Sequence, residues 1–114
     1  MTSSVPISEI KAELFKALAH PARIRVLEFL VEGERSVAEL LPLVGIEASH
    51  LSQQLAVLRR AGLVDTRKER SSVYYSIRDK DLVKLLAVAR RMLVTSLSEH
   101  ENLLRDLRDA VKSA

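Results

Sequence analysis

Between Ser36 and Arg60 the chain reads SVAELLPLVGIEASHLSQQLAVLRR. At helical spacing this stretch holds a short apolar stripe (Val37, Leu40, Leu41), a break at Val44-Gly45, and a second stripe at Leu51, Leu55 and Leu58. Two amphipathic helices joined by about four residues with a glycine in the joint make a helix-turn-helix. The second helix turns its leucines inward, which leaves Ser49, His50, Ser52, Gln53 and Gln54 toward its outer, N-terminal end. Hydroxyls and amides of this kind hydrogen-bond to base edges and phosphate oxygens. The expectation is a chain that binds double-stranded DNA.

Charge placement supports that partner. Net charge is +3, and residues 48–78 carry six basic and two acidic side chains, against five and seven in residues 1–47. The positive excess therefore lies on the second helix and the segment after it, the footprint expected for a polyanion partner. With 114 residues, 47% of them apolar, the chain has material for a single domain spanning 1–114. It has no cysteine, which excludes disulfides and thiolate metal sites. No apolar run is long enough to span a bilayer and the N-terminus lacks the pattern of a secretory signal, so the expected location is the cytoplasm. Three glycines and no nucleophile–base grouping leave no enzyme signature and no nucleotide cradle, so neither catalysis nor a cofactor is expected.

Taken in order, residues 1–7 read as a loose arm and 8–35 as two helices. Ser8 is a candidate cap for the first, Glu9 to about Ala19, with Ile10, Leu14, Ala17 and Leu18 as its stripe. Pro21 opens the second, which runs to about Val31 with Ile24, Leu27, Leu30 and Val31 inward and Arg23, Arg25 and Glu32 outward; Gly33 ends it. Ser36 and Glu39 make a capping box for the third helix, and Pro42 should leave it short or bent. The fourth spans roughly Ala48 to Arg60 with Gly62 as its stop, closing a helix-turn-helix over 36–62. From 63 to 78 the period becomes alternating. Leu63–Lys68 and Ser72–Ile77 form a β-hairpin with Glu69-Arg70-Ser71 at the tip, a wing whose basic residues Arg67, Lys68 and Arg70 can reach a phosphate backbone or minor groove. Residues 79–112 are helical, as one helix or as two bent near Ser96 and Ser98. Their apolar positions Leu82, Leu86, Ala89, Leu93, Leu97, Leu104, Leu107 and Val111 keep a near-heptad spacing interrupted by His100. That stripe exceeds what a small core needs, and a dimer seam is its most economical use.

Three pieces resemble the ArsR-type (arsenical-resistance-repressor-like) winged helix-turn-helix regulators of prokaryotes: FKALAHPARIRVLEFL at 15–30, SVAELLPLVGIEASHLSQQLAVLRRAGLV at 36–64 and RKERSSVYYSI at 67–77. The resemblance implies a mainly α fold with a small β wing (α+β) and a homodimer packed through the first helix (Leu14) and the last. It also implies a repressor released by a signal. It places DNA contacts on Ser49, His50, Ser52, Gln53 and Gln54 and, in the wing, on Arg67, Lys68, Arg70 and Tyr75. Gln54 stands where many relatives have histidine, and Arg70 where many have glycine, which predicts a different hairpin turn. The metal sites do not carry over. The third helix has no cysteine, Asp81 is followed two residues later by Val83, and His100 three later by Leu103.

The remaining polar groups have structural alternatives. His20 suits an inter-helix hydrogen bond or a helix C-terminal charge, and His50 a DNA contact rather than a metal. Arg59 and Arg60 suit either the fourth helix's C-terminus or a phosphate. One of Tyr74 and Tyr75 should pack inward and the other face out. The rival to a DNA-binding repressor is a winged helix that engages an acidic protein partner through its basic hairpin.

Overall fold

Local capping chemistry sets several of the helix boundaries. In the computed structural model, which describes residues 5–113, the order is α1 (Ile7–Leu18), α2 (Pro21–Val31), β1 (Arg35–Ser36), α3 (Val37–Val44), α4 (Ala48–Arg60), β2 (Val64–Glu69), β3 (Ser72–Ile77) and α5 (Lys80–Ser113). Most of the expected arm at residues 1–7 lies outside the described residues. Helix α1 begins earlier than expected. Pro6 precedes it, with the Pro6 carbonyl accepting from the Glu9 amide at 3.0 Å, so Ser8 lies inside the first turn and caps nothing.

His20 has a role that its residue type alone did not suggest. Its Nδ1 accepts the Ala22 amide at 3.0 Å and caps α2, while Pro21 takes the first helical position, where a missing N–H costs nothing. The capping box of α3 is complete: the Glu39 amide donates to Ser36 Oγ at 3.1 Å, and the Ser36 amide to Glu39 Oε1 at 3.0 Å. Pro42 is held inside this eight-residue helix, and Gly45, at φ 75°, closes it in the left-handed conformation.

The described chain divides into two units at Leu82–Val83. In the first, Val26 and Leu27 of α2, Leu40 of α3, Leu51, Leu55 and Leu58 of α4, and Val64 of β2 are sealed from solvent. Ile24 is only half-buried and Val31 is exposed, while Ala22 and Val26 take the inner positions. Arg23, expected outward, is half-buried. Leu82, expected in a dimer seam, is 6% exposed and belongs to this core.

The hairpin is one part of a three-stranded antiparallel sheet in the order β1-β3-β2. The two-residue β1 pairs Arg35 with Tyr75 and Ser36 with Tyr74. Across the hairpin, Val64 pairs with Ile77 and Glu69 with Ser72, leaving Arg70 and Ser71 as the tip. Arg70 adopts φ 57°. The arginine thus occupies the conformation a glycine would favour in a primed hairpin turn, so the expected change of turn type does not follow from the change of residue.

The second unit is the rest of α5. The helix continues through Ser96 and Ser98 without a break. Along it Ala89, Leu93, Leu97, Leu104, Leu107 and Val111 are exposed, with Leu86 half-buried near its start.

Candidate nucleic-acid interface

Helix α4 sorts its polar residues by angle around its axis. Ser49, Ser52 and Gln53 are exposed on the outer face, and Arg59 and Arg60 are exposed in the last turn. His50 is half-buried, its ring edge-to-face with His20 at a centroid distance of 5.7 Å. Gln54 departs from the expected set. It is 7% exposed, and its Oε1 accepts Arg23 Nε at 2.8 Å. Position 54 lies three residues after Leu51 and four before Leu58, so helical geometry places it on the buried stripe whatever its polarity.

The hairpin is tied to the end of α4 by the backbone. The Leu63 amide donates to the Leu58 carbonyl at 3.0 Å, and the Arg78 amide to the Leu63 carbonyl at 3.1 Å. Gly62, at φ 74°, makes this exit; a Cβ there would lie 3.0 Å from Arg78 Nη1. Arg78 Nε in turn donates to Asp65 Oδ1 at 2.8 Å across the base of the hairpin.

The basic residues of the wing divide into two kinds. Arg67 is exposed, but all three of its guanidinium nitrogens are engaged by carboxylates. Its Nε and Nη2 donate to Glu34 at 3.2 and 2.6 Å, its Nη1 donates to Glu69 at 2.6 Å, and its guanidinium lies 4.6 Å from the centroid of the Tyr74 ring. Those bonds hold the Glu34 carboxyl below its ordinary pKa and push that of Arg67 further up. One guanidinium with two carboxylates carries a net charge of −1, so this cluster does not present a cation to a phosphate. Lys68 and Arg70 are exposed and, with Arg59 and Arg60, form no ion pair among the described residues. Tyr75 is half-buried in β3, opposite Arg35 and Thr66, and Tyr74 faces Arg67.

Three contributors were not foreseen from the sequence: Arg23, Glu34 and β1. Arg23 carries a readable signal, since it lies four residues before Leu27 on the inner stripe of α2. Glu34 carries none, being 33 residues from Arg67. Among the described residues no cluster of three or more potential ligands gathers to hold a metal ion, and no helix is long and apolar enough to cross a membrane.

Comparison with known proteins agrees with this geometry. The family model for bacterial regulatory proteins of the arsR family matches residues 20–66, from the cap of α2 into β2. The uncharacterized HTH-type transcriptional regulator Rv0081 of Mycobacterium tuberculosis is 57% identical over 106 residues, 92% of this chain and 93% of its own length. The crystal structure of Rv0081 matches with a TM-score of 0.79 over 85% of this chain and 98% of that one. The biofilm growth-associated repressor of Agrobacterium fabrum is 45% identical over 75 residues, 66% of this chain and 64% of the repressor. The homodimeric winged helix-turn-helix DNA-binding domain of Mb0332 from Mycobacterium bovis, at 28% identity, has a TM-score of 0.75 over 87% of this chain and 95% of that domain. The chain belongs to the arsR family of bacterial regulatory proteins and is a winged helix-turn-helix transcriptional regulator.

Proposed function

We propose that the chain is a cytoplasmic, homodimeric repressor that binds an inverted-repeat operator and acts by binding rather than catalysis. The observation that carries this reading is the outer surface of α4 and the hairpin. Hydrogen-bonding side chains at Ser49, Ser52 and Gln53 stand exposed, and Arg59, Arg60, Lys68 and Arg70 are cations without a carboxylate partner among the described residues. In this arrangement α4 enters the major groove, where amide and hydroxyl groups distinguish base pairs, and the hairpin tip meets the backbone beside it. His50, beside His20, contributes at the edge of that surface.

Dimerisation follows from the apolar residues left uncovered. On α5 these are Leu93, Leu97, Leu104 and Leu107, with Ala89 between turns; on α1 they are Ile7, Ile10 and Phe15, flanking the half-buried Leu14. A second copy is the occupant that covers both sets and gives the complex two reading helices. Two-fold symmetry then requires half-sites about one helical turn, ~10 bp, apart. The inducing signal does not use the family metal positions, because Val83 and Leu103 stand where ligands are needed.

The test is binding to the DNA upstream of the protein's own gene against a random duplex of equal length, at several salt concentrations. The expected result is preferential protection of an inverted repeat, with random DNA bound weakly and with steep salt dependence. Equal affinity for both duplexes defeats the proposal. A rise in transcription from the bound promoter on adding the protein defeats the assignment as a repressor while leaving DNA recognition in place.

A further inference from the structure

Arg23 and Gln54 form a polar link between elements whose buried apolar side chains are leucine, valine and alanine. Arg23, in the first turn of α2, sends Nε to Gln54 Oε1 on α4 at 2.8 Å. Its Nη1 donates to the last carbonyls of α1, Lys16 O at 3.0 Å and Ala17 O at 3.1 Å. One guanidinium therefore joins α1, α2 and α4. A second contact runs parallel to it, the edge-to-face pair of His20 and His50. His20 and Arg23 are one turn apart on α2, and His50 and Gln54 are one turn apart on α4, so the two contacts form a ladder along the seam between these helices.

Apolar burial of Leu51, Leu55 and Leu58 fixes how deeply α4 sits but is non-directional, and it tolerates a small slide or rotation. Hydrogen bonds fix direction and distance. Gln54 directly follows Ser52 and Gln53, so any slip of its amide carries the exposed side chains with it. Recognition groups have to be held to within roughly half an ångström of their working geometry.

We infer that Arg23, acting through Gln54, is a positioning residue that sets the register of α4 and thereby the discrimination of the operator without either residue touching DNA. The inference rests on the function proposed above. It also explains why a buried position on the reading helix carries an amide where another leucine would fill the space. Through the guanidinium of Arg23 on α2, which donates to both, the link joins the helix that carries Ile7, Ile10 and Phe15 to the helix that reads.

The decisive variant is the pair Arg23→Met with Gln54→Leu. Replacing both partners of a buried hydrogen bond by apolar groups of similar shape is close to neutral for stability, whereas removing one leaves its mate unsatisfied. Because the Lys16 and Ala17 carbonyls lose their donor as well, the expected result is a folded protein with a modestly lowered melting temperature and a preference for operator over random duplex reduced roughly tenfold or more, on the scale of one or two misread base pairs. Affinity for random DNA and its salt slope should be unchanged, and tolerance of half-site spacings altered by one base pair should rise. Arg23→Lys, which keeps the charge but not the fork, should restore none of the preference.

A stable double variant that discriminates like the parent overturns the inference. Equal loss on operator and random DNA also overturns it, because Arg23 is then a phosphate contact, and so does full rescue by lysine. Should the unaltered protein prefer no operator at all, the proposed function fails first. The link is then judged in DNA-free protein by a thermodynamic cycle on unfolding: strong non-additivity of the two single changes upholds it and additivity refutes it.

Discussion

The two arginines of the wing make opposite predictions although they lie three residues apart. Arg70 stands at the hairpin tip with no carboxylate partner among the described residues, whereas Arg67 directs Nε, Nη1 and Nη2 to Glu34 and Glu69. For B-DNA, every phosphate that a protein ceases to neutralise lowers the slope of log K against log salt by ~0.9. A dimer in which Arg70→Ala frees one phosphate per protomer therefore gives up about 1.8 of that slope, and between 50 and 200 mM salt its deficit relative to the parent shrinks about twelvefold. The proper control removes Arg67 without altering net charge, as Arg67→Gln combined with Glu34→Gln. That protein should keep the parental slope. Fluorescence anisotropy of a labelled operator across the salt series reads both, and a random duplex should show the same reduction for Arg70→Ala. If the Arg67/Glu34 pair lowered the slope as far as Arg70→Ala does, the division of the wing into a brace and a phosphate-binding tip would be wrong.

Gln53→Ala should cost about 1–3 kcal/mol of discrimination at the base pair it faces, measured as a change in affinity ratio across single-base operator variants, with random DNA unaffected. Ser36→Ala removes the cap of α3 and should destabilise the fold by about 1 kcal/mol in urea unfolding, with an unchanged m-value. Leu107→Glu falls on an exposed apolar position, so it should leave the folded protomer intact and convert the proposed dimer to monomer in sedimentation at micromolar strength. The amide and hydroxyl of Ser36 hold the Glu39 carboxyl below its ordinary value of 4.5, and Arg67 does the same for Glu34. Depressed carboxyls contribute stability above their unfolded value that disappears as pH falls through the folded one, so melting temperature should drop on acidification below 4.5. Glu39→Gln keeps the capping geometry without the proton and should flatten that drop; an unchanged profile would remove Glu39 from the account.

What the sequence makes legible is what depends on neighbours along the chain. Ser36 and Glu39, Pro21 and Gly45 each act over a few residues and begin or end an element where expected; the alternating runs place the hairpin, though its first strand runs Val64–Glu69, one residue later than the expected Leu63–Lys68, because Glu69 pairs with Ser72. Helix α1 starts early because the Pro6 carbonyl serves its first amides directly, although Ser8 has the residue type of a cap. The division into two helices allowed at Ser96 and Ser98 does not occur, because serine costs a helix only a few tenths of a kcal/mol when nothing else opposes it. Strand β1 is two residues long, too short for any periodicity, and is created by β3 lying beside it. Gln54 and Arg23 mislead by residue type: polarity suggests an outward side chain, while their spacing puts both on inner faces. The engagement of Arg67 by Glu34 has no local signal, because it exists only once the hairpin has folded back over the turn before β1.

The left-handed backbone at Arg70 has a consequence for how this regulator trades rigidity against reach. An L-residue other than glycine gives up roughly 1 kcal/mol in that conformation. Selection for a sturdy hairpin alone would favour the residue without a side chain. Keeping the long cation there leaves the resting protein slightly less stable at the hairpin tip, where Arg70 has no carboxylate partner among the described residues; in the function proposed above, a strand of nucleic acid supplies that counterion. Variants recovered by screening for heat tolerance should therefore drift toward glycine at 70 and lose grip on the duplex as they do so.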